Sequence, residues 1–148
     1  MSEAAIPGAH AAPRVPWHLW VIGSLSLLWN ASGAYTIMMA QSGAPMDMDA
    51  NEIAYYAAQA PWFVAVVDMV LISATLAAIE LLLRRRWAVH LYGLSLAGIA
   101  VTAAWDIAQG TALLLQDQGW LILEAVTTCL AALQLWYAWA MRNRGVLR

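Results

Sequence analysis

The sequence predicts an all-α integral membrane fold, an antiparallel four-helix bundle with a short interfacial helix between its first and second spans. Three observations carry this expectation. Of the 148 residues, 63% are hydrophobic and 11% charged, with a mean hydropathy of +0.64, whereas a soluble domain carries about 25% charged residues. Four stretches, 17–40, 62–83, 87–115 and 119–141, each reach the ~20 residues that a helix needs to cross the hydrocarbon core. Short links between successive stretches favour antiparallel neighbours.

The elements follow in order. Residues 1–14, MSEAAIPGAHAAPR, lack the basic start and compact apolar run of a signal peptide and are expected to form a flexible cytoplasmic tail. Residues 15–148 then form a single transmembrane domain. The first span opens on Trp17 and carries Ser26, Asn30 and Gly33 along one stripe. In the connection PMDMDANEIAYYAAQAPWF, Asp49 precedes Glu52 by three residues, the spacing of a capping box. It predicts a helix over about 50–60 whose Tyr55 and Tyr56 suit the headgroup zone, closed by Pro61 before Trp62 opens the second span. That span holds Asp68, Thr75 and Glu80, the last four residues before Arg84 and so spaced for an i,i+4 ion pair. The third carries Ser95, Thr102, Asp106 and Gln109 on one face, and the fourth carries Glu124, Thr127, Ala131 and Gln134.

Charge sets the expected orientation. All seven basic residues are Arg: Arg14, Arg84, Arg85, Arg86, Arg142, Arg144 and Arg148. They fall before the first span, between the second and third, or after the fourth. The other two links carry Asp47, Asp49, Glu52 and Asp117. The positive-inside rule then places both termini in the cytoplasm. Trp17, Trp20, Trp87, Trp136 and Trp139 fall at the inner ends and Trp62 and Trp120 at the outer ends, where aromatic belts form. Trp29 and Trp105 lie off the belts and are expected to face other helices.

Within the spans the acids need an explanation, because a charged group at a helix centre costs about 2.5–3.5 kcal/mol on insertion scales. At 1.5 Å per residue, Asp68 lies about 9 Å and Glu124 about 7 Å below the outer face, and Asp106 about 28 Å above the inner one. Three helices therefore bring acids to one depth with no basic residue on that side. The polar stripes cannot be solvated by lipid and are expected to face inward. Asp68, Asp106 and Glu124, with Asn30, Gln109, Thr102 and Tyr35, become the candidate solute- or proton-binding residues. Carboxylates in such a place stay protonated or hold a cation. The plain alternative is that they are interhelical glue, hydrogen-bonded to Asn30, Thr102, Gln109 and Tyr35.

Two further patterns concern cofactors. Met46 and Met48 present an exported Met-x-Met pair, and thioethers select Cu(I); as ordinary residues they are flexible apolar filler. His18 and His90, near the inner ends of their spans, are the residues that could ligate a haem between two helices, or else sit at the headgroups as anchors. Neither pattern is complete, and no cofactor is predicted. The single Cys129 has no partner. No basic face suits nucleic acid, and the motifs of serine nucleophiles, phosphate-cradling loops and paired-Cys metal sites are missing, so no reaction is indicated.

The stretches APRVPWHLW, LLWNASGAY, EIAYYAAQAPWF and LLLRRRWAV together resemble a group of small, uncharacterised alphaproteobacterial four-span proteins that carry the label "sugar transporter". The resemblance covers most of the chain through residue 90. It implies a bacterial inner-membrane location and the four-span topology. Where that pattern has an Asp after the Gly-Ala-aromatic of the first span, this chain has Thr36.

Two functions remain open. One is the binding or transport of a small solute or cation at a polar, periplasm-facing interior, by a homodimer closed along Gly93, Ala97, Ala100 and Ala104. The other is a non-catalytic accessory or scaffold subunit of a larger membrane complex.

Overall fold

The computed structural model describes residues 15–43, 47–111 and 118–148. The expected tail 1–14, Met46, Asp117 and the last residues of the expected third span, 112–115, lie outside the described residues. Among the described residues the chain is helix and turn, with no strand. The helices described are α1 (Trp17–Gln41), α2 (Ala50–Ala58), α3 (Pro61–Leu82), α4 (Trp87–Gln109) and α5 (Gln118–Asn143). Among the described residues three segments are long and apolar enough to cross a membrane: Pro61–Leu82, Trp87–Gln109 and Gly119–Asn143. Helix α1 has the length, 25 residues, but Ser24, Ser26, Asn30, Ser32 and Thr36 interrupt its apolar run.

Local chemistry fixes the boundaries. Asp49 caps α2: its side chain accepts from the Glu52 N–H at 2.8 Å, and Glu52 accepts from the Asp49 N–H at 2.9 Å, completing the expected capping box. Pro61 occupies the first turn of α3, where its missing N–H is harmless; it opens that helix rather than merely closing the one before. Helix α4 is shorter than the expected span. Gly110 adopts φ 67° and its N–H returns to the Asp106 and Ile107 carbonyls, so the helix ends in a left-handed cap that glycine adopts without penalty.

Packing is sequential. Helix α1 packs on α3, α3 on α4, and α4 on α5. Neighbours approach closely where one side contributes no bulk. A Cβ on Gly23 would stand 2.6 Å from Leu82 Cδ2, and one on Gly98 would collide with Val70 Cγ2. The α1–α5 side is looser. The two helices meet through Asn30 Nδ2, 3.4 Å from Gln134 Oε1, and through His18 Nδ1, 2.6 Å from Tyr137 Oη. Between them lies a largely apolar groove of about 650 Å³, lined by Leu25, Leu28, Trp29, Leu133 and Trp136 among others. Trp29, expected to face other helices, is 41% exposed along this groove.

One end of the bundle is closed by a clasp. Arg84 takes a left-handed φ of 60°, a conformation that costs a non-glycine residue roughly 1–2 kcal/mol. The turn that it makes pairs with residues 146–148. The Arg148 N–H donates to the Arg84 carbonyl at 2.7 Å, the Arg86 N–H to the Arg148 carbonyl at 3.0 Å, and Arg84 Nε to the Val146 carbonyl at 3.4 Å. This seats Val146 (3% exposed) and Leu147 (0%) among Leu19, Ala77, Leu81, Ala88, Tyr92 and Met141. Because α3 stops at Leu82 and Arg84 turns toward the clasp, the i,i+4 partner of Glu80 is not Arg84. Arg85 Nη1 takes that place, 3.4 Å from Glu80 Oε1.

Candidate functional site

At the opposite end, away from the Arg-rich clasp, α2 lies against the last turn of α4 and the first of α3. Asp106 sits three residues before the end of α4, where the helix macrodipole is negative. A carboxyl group there needs compensating donors, and the last turn of α4 holds no basic residue. Two hydroxyls supply them. Thr111, brought back by the Gly110 turn, donates to Asp106 Oδ1 at 2.9 Å. Tyr55 Oη stands 3.2 Å from Oδ1 and 3.4 Å from Oδ2, sharing its one proton. Burial first, and then the Asp106 charge, push the Tyr55 phenol well above its ordinary value, so Tyr55 is a donor at any physiological pH. Burial, then the Glu52 charge, likewise raises Tyr56.

Around Asp106 the structure forms a cavity of about 440 Å³, within the range of small-molecule sites. Its walls are Asn51, Ala54, Tyr55, Ala58, Gln59 and Ala60 from α2 and the link after it, Phe63 from α3, and Trp105, Asp106, Gln109 and Thr111 from α4 and its cap. Two edge-to-face pairs hold the aromatic walls: Trp105 with Trp62, centroids 4.9 Å apart, and Tyr55 with Trp120, 5.2 Å apart. The Gln59 amide oxygen is buried and has no hydrogen-bond donor in reach among the described residues.

The residues expected to form one cluster divide into several. Asp106 and Gln109 share the cavity. Glu124 is half-buried on α5 and is not a wall of the cavity; its backbone carbonyl accepts from Thr128 at 2.9 Å. Asp68 is half-buried on α3 but is not a wall of the cavity. Asn30 lies apart, bonded at 3.4 Å to the Ala74 carbonyl and at the same distance to Gln134. Thr102 donates to carbonyls of its own helix, Ile99 at 3.0 Å and Gly98 at 3.3 Å. Tyr35 is 67% exposed. The donors that Asp106 uses are therefore Tyr55 and Thr111, not Asn30, Thr102, Gln109 or Tyr35. Thr111 was readable in principle, because Gly110 is a helix-stop signal that folds the next residue back. Tyr55 was not, because its contact depends on how α2 docks.

The two histidines take different partners. His18 is bonded to Tyr137, and His90 is exposed with its ring centroid 5.5 Å from Trp87. Met48 is half-buried just before the α2 cap, and its expected companion Met46 lies outside the described residues. Among the described residues no three His, Cys, Asp or Glu side chains converge as a metal-holding group.

Comparison with known protein families, with curated proteins and with solved structures finds no match to this chain.

Proposed function

We propose that this chain is a four-span inner-membrane protein that binds a small solute in the α2-roofed cavity, entered from the periplasm. The observation that carries the reading is Asp106: a half-buried carboxyl group on the wall of a 440 Å³ cavity, at the unfavourable end of a helix, with no basic side chain among the described lining residues. Intramembrane acids are functional by default, and this one opens on a ligand-sized space. Six of the seven arginines cluster at the clasp end or just beyond α5, and Asp47, Asp49 and Glu52 lie at the cavity end, which supports a periplasmic cavity by the positive-inside rule. Helix α1 is read as the fourth span because it packs along α3. Gly93, Ala97, Ala100 and Ala104 are not among the buried residues of α4 and could close a homodimer.

Native mass spectrometry of the detergent-purified chain tests this reading. A small adduct on the wild type that is lost from a folded Asp106→Asn variant is expected. A wild-type chain that carries no adduct defeats it. The open α1–α5 groove favours the second reading, an accessory subunit. A partner chain retained in the same spectrum, and released by Trp29→Ala or Leu133→Ala, would support that reading.

A further inference from the structure

We infer that the ligand of the Asp106 cavity is a small organic ammonium ion, a protonated primary or secondary amine. This rests on the solute-binding reading above and narrows it. Three features of the walls select the class. First, the described lining residues offer one carboxyl group, Asp106, and no Arg, Lys or His, so an anion finds no partner among them. One carboxylate with neutral neighbours also falls short of the six to eight oxygens that hold a divalent metal ion such as Ca²⁺. Second, Tyr55, Trp105 and Phe63 present aromatic rings to the same space as the acid, and aromatic faces attract organic cations. The flanking Trp120 and Trp62 rings meet Tyr55 and Trp105 edge-on at 5.2 and 4.9 Å, which holds these walls in place before any ligand arrives. Third, two acceptors of the lining are short of donors. Among the described residues, Gln59 Oε1 is buried without a donor, and Asp106 Oδ2 has only the longer, 3.4 Å contact with Tyr55. A buried acceptor left unpaired is costly, and an N–H of the ligand would satisfy it. A quaternary ammonium carries no N–H, which is why the assignment is to a primary or secondary amine. The alanines Ala54, Ala58 and Ala60 leave room for a short skeleton beyond the nitrogen.

The test compares probes of one shape and different charge on the full chain in a neutral detergent. Ethanolamine is protonated at pH 7, ethylene glycol is its neutral counterpart, and tetramethylammonium is a cation without N–H. Binding is read from tryptophan fluorescence and checked by calorimetry. Ethanolamine is expected to bind saturably, at least tenfold more tightly than ethylene glycol and more tightly than tetramethylammonium. Asp106→Asn is expected to weaken ethanolamine at least tenfold, and Gln59→Leu to erase its advantage over tetramethylammonium. If either variant misfolds, the wild-type comparison of ethanolamine with ethylene glycol decides alone. Ethylene glycol binding within threefold of ethanolamine would overturn the ammonium assignment and leave solute binding standing. Saturable binding of neither probe would overturn the assignment as well, and the solute-binding reading would then rest on the mass measurement.

Discussion

Two glycines of α4 offer a measurement of how tightly α3 and α4 are joined. A Cβ at Gly98 would collide with Val70 Cγ2, stand 3.0 Å from Met69 Cε and lie 3.8 Å from Val66 Cγ1; at Gly93 it would meet nothing within 4 Å. Replacing either glycine by alanine removes the same backbone freedom, worth roughly 0.5–1 kcal/mol in a helix interior. That gain cancels when the two variants are compared. What remains is the steric term at Gly98. The Met69 methyl can swing aside, but Val70 is β-branched and nearly fixed in one rotamer within a helix, so the helices must separate. Overpacking of this kind costs about 1–3 kcal/mol. Gly98→Ala is therefore expected to be less stable than Gly93→Ala by that amount, with Gly93→Ala at or slightly above the wild type. Reversible unfolding by SDS in mixed micelles, followed by circular dichroism, gives both midpoints. Equal midpoints, or a more stable Gly98→Ala, would refute the close α3–α4 approach.

Other expectations follow from the same geometry. Leu147→Ala empties a fully buried site in the clasp and should cost about 2–5 kcal/mol in the same titration; an unchanged midpoint would mean that residues 146–148 do not seat in the bundle. Asn30→Leu removes the bonds to Gln134 and to the Ala74 carbonyl and should cost little, about 1 kcal/mol at an average of about 0.6 kcal/mol per interhelical hydrogen bond, and a loss of several kcal/mol would assign Asn30 a larger role. A cysteine at Ser42 should react with an impermeant thiol reagent applied from the periplasm, and one at Arg85 should not; the reverse pattern would invert the proposed orientation.

Much of the architecture is legible in the chain because bilayer physics is blunt. Each described helix begins within one residue of its expected start. The Asp49–Glu52 spacing located α2 through a purely local rule, and both of its hydrogen bonds form. The site was half legible. Asp106 was recognisable as a costly residue, but the expectation extended its helix past Gly110 and so hid Thr111 as a partner. Tyr55 read as a headgroup residue and Gln59 simply as part of the short helix, because nothing within α2 reveals which helix it leans on. The same limit hid the clasp: Val146 and Leu147 are two apolar residues amid arginines, and only tertiary pairing with the Arg84 turn shows that they are buried. Glu80 makes the converse point. An i,i+4 rule holds only while the helix continues, and α3 stops at Leu82.

The distribution of bonds on Asp106 bears on whether an acid is needed there at all. Thr111 and the shorter Tyr55 contact both fall on Oδ1, at 2.9 and 3.2 Å, and Oδ2 has the 3.4 Å Tyr55 contact alone. An asparagine with its carbonyl oxygen at the Oδ1 position would accept both bonds and place its NH₂ where Oδ2 now lies. It would do so without setting a carboxylate against the negative end of α4. If tying α2 to α4 were the whole task, asparagine would perform it at lower cost. The acid keeps one oxygen, Oδ2, with spare capacity, and Asp106 is itself a wall of the cavity. Local rules broken without a structural gain mark functional sites. Asp106→Asn therefore preserves the interhelical bonds and removes the one feature that structure alone does not require, which makes a folded variant lacking bound solute the decisive outcome.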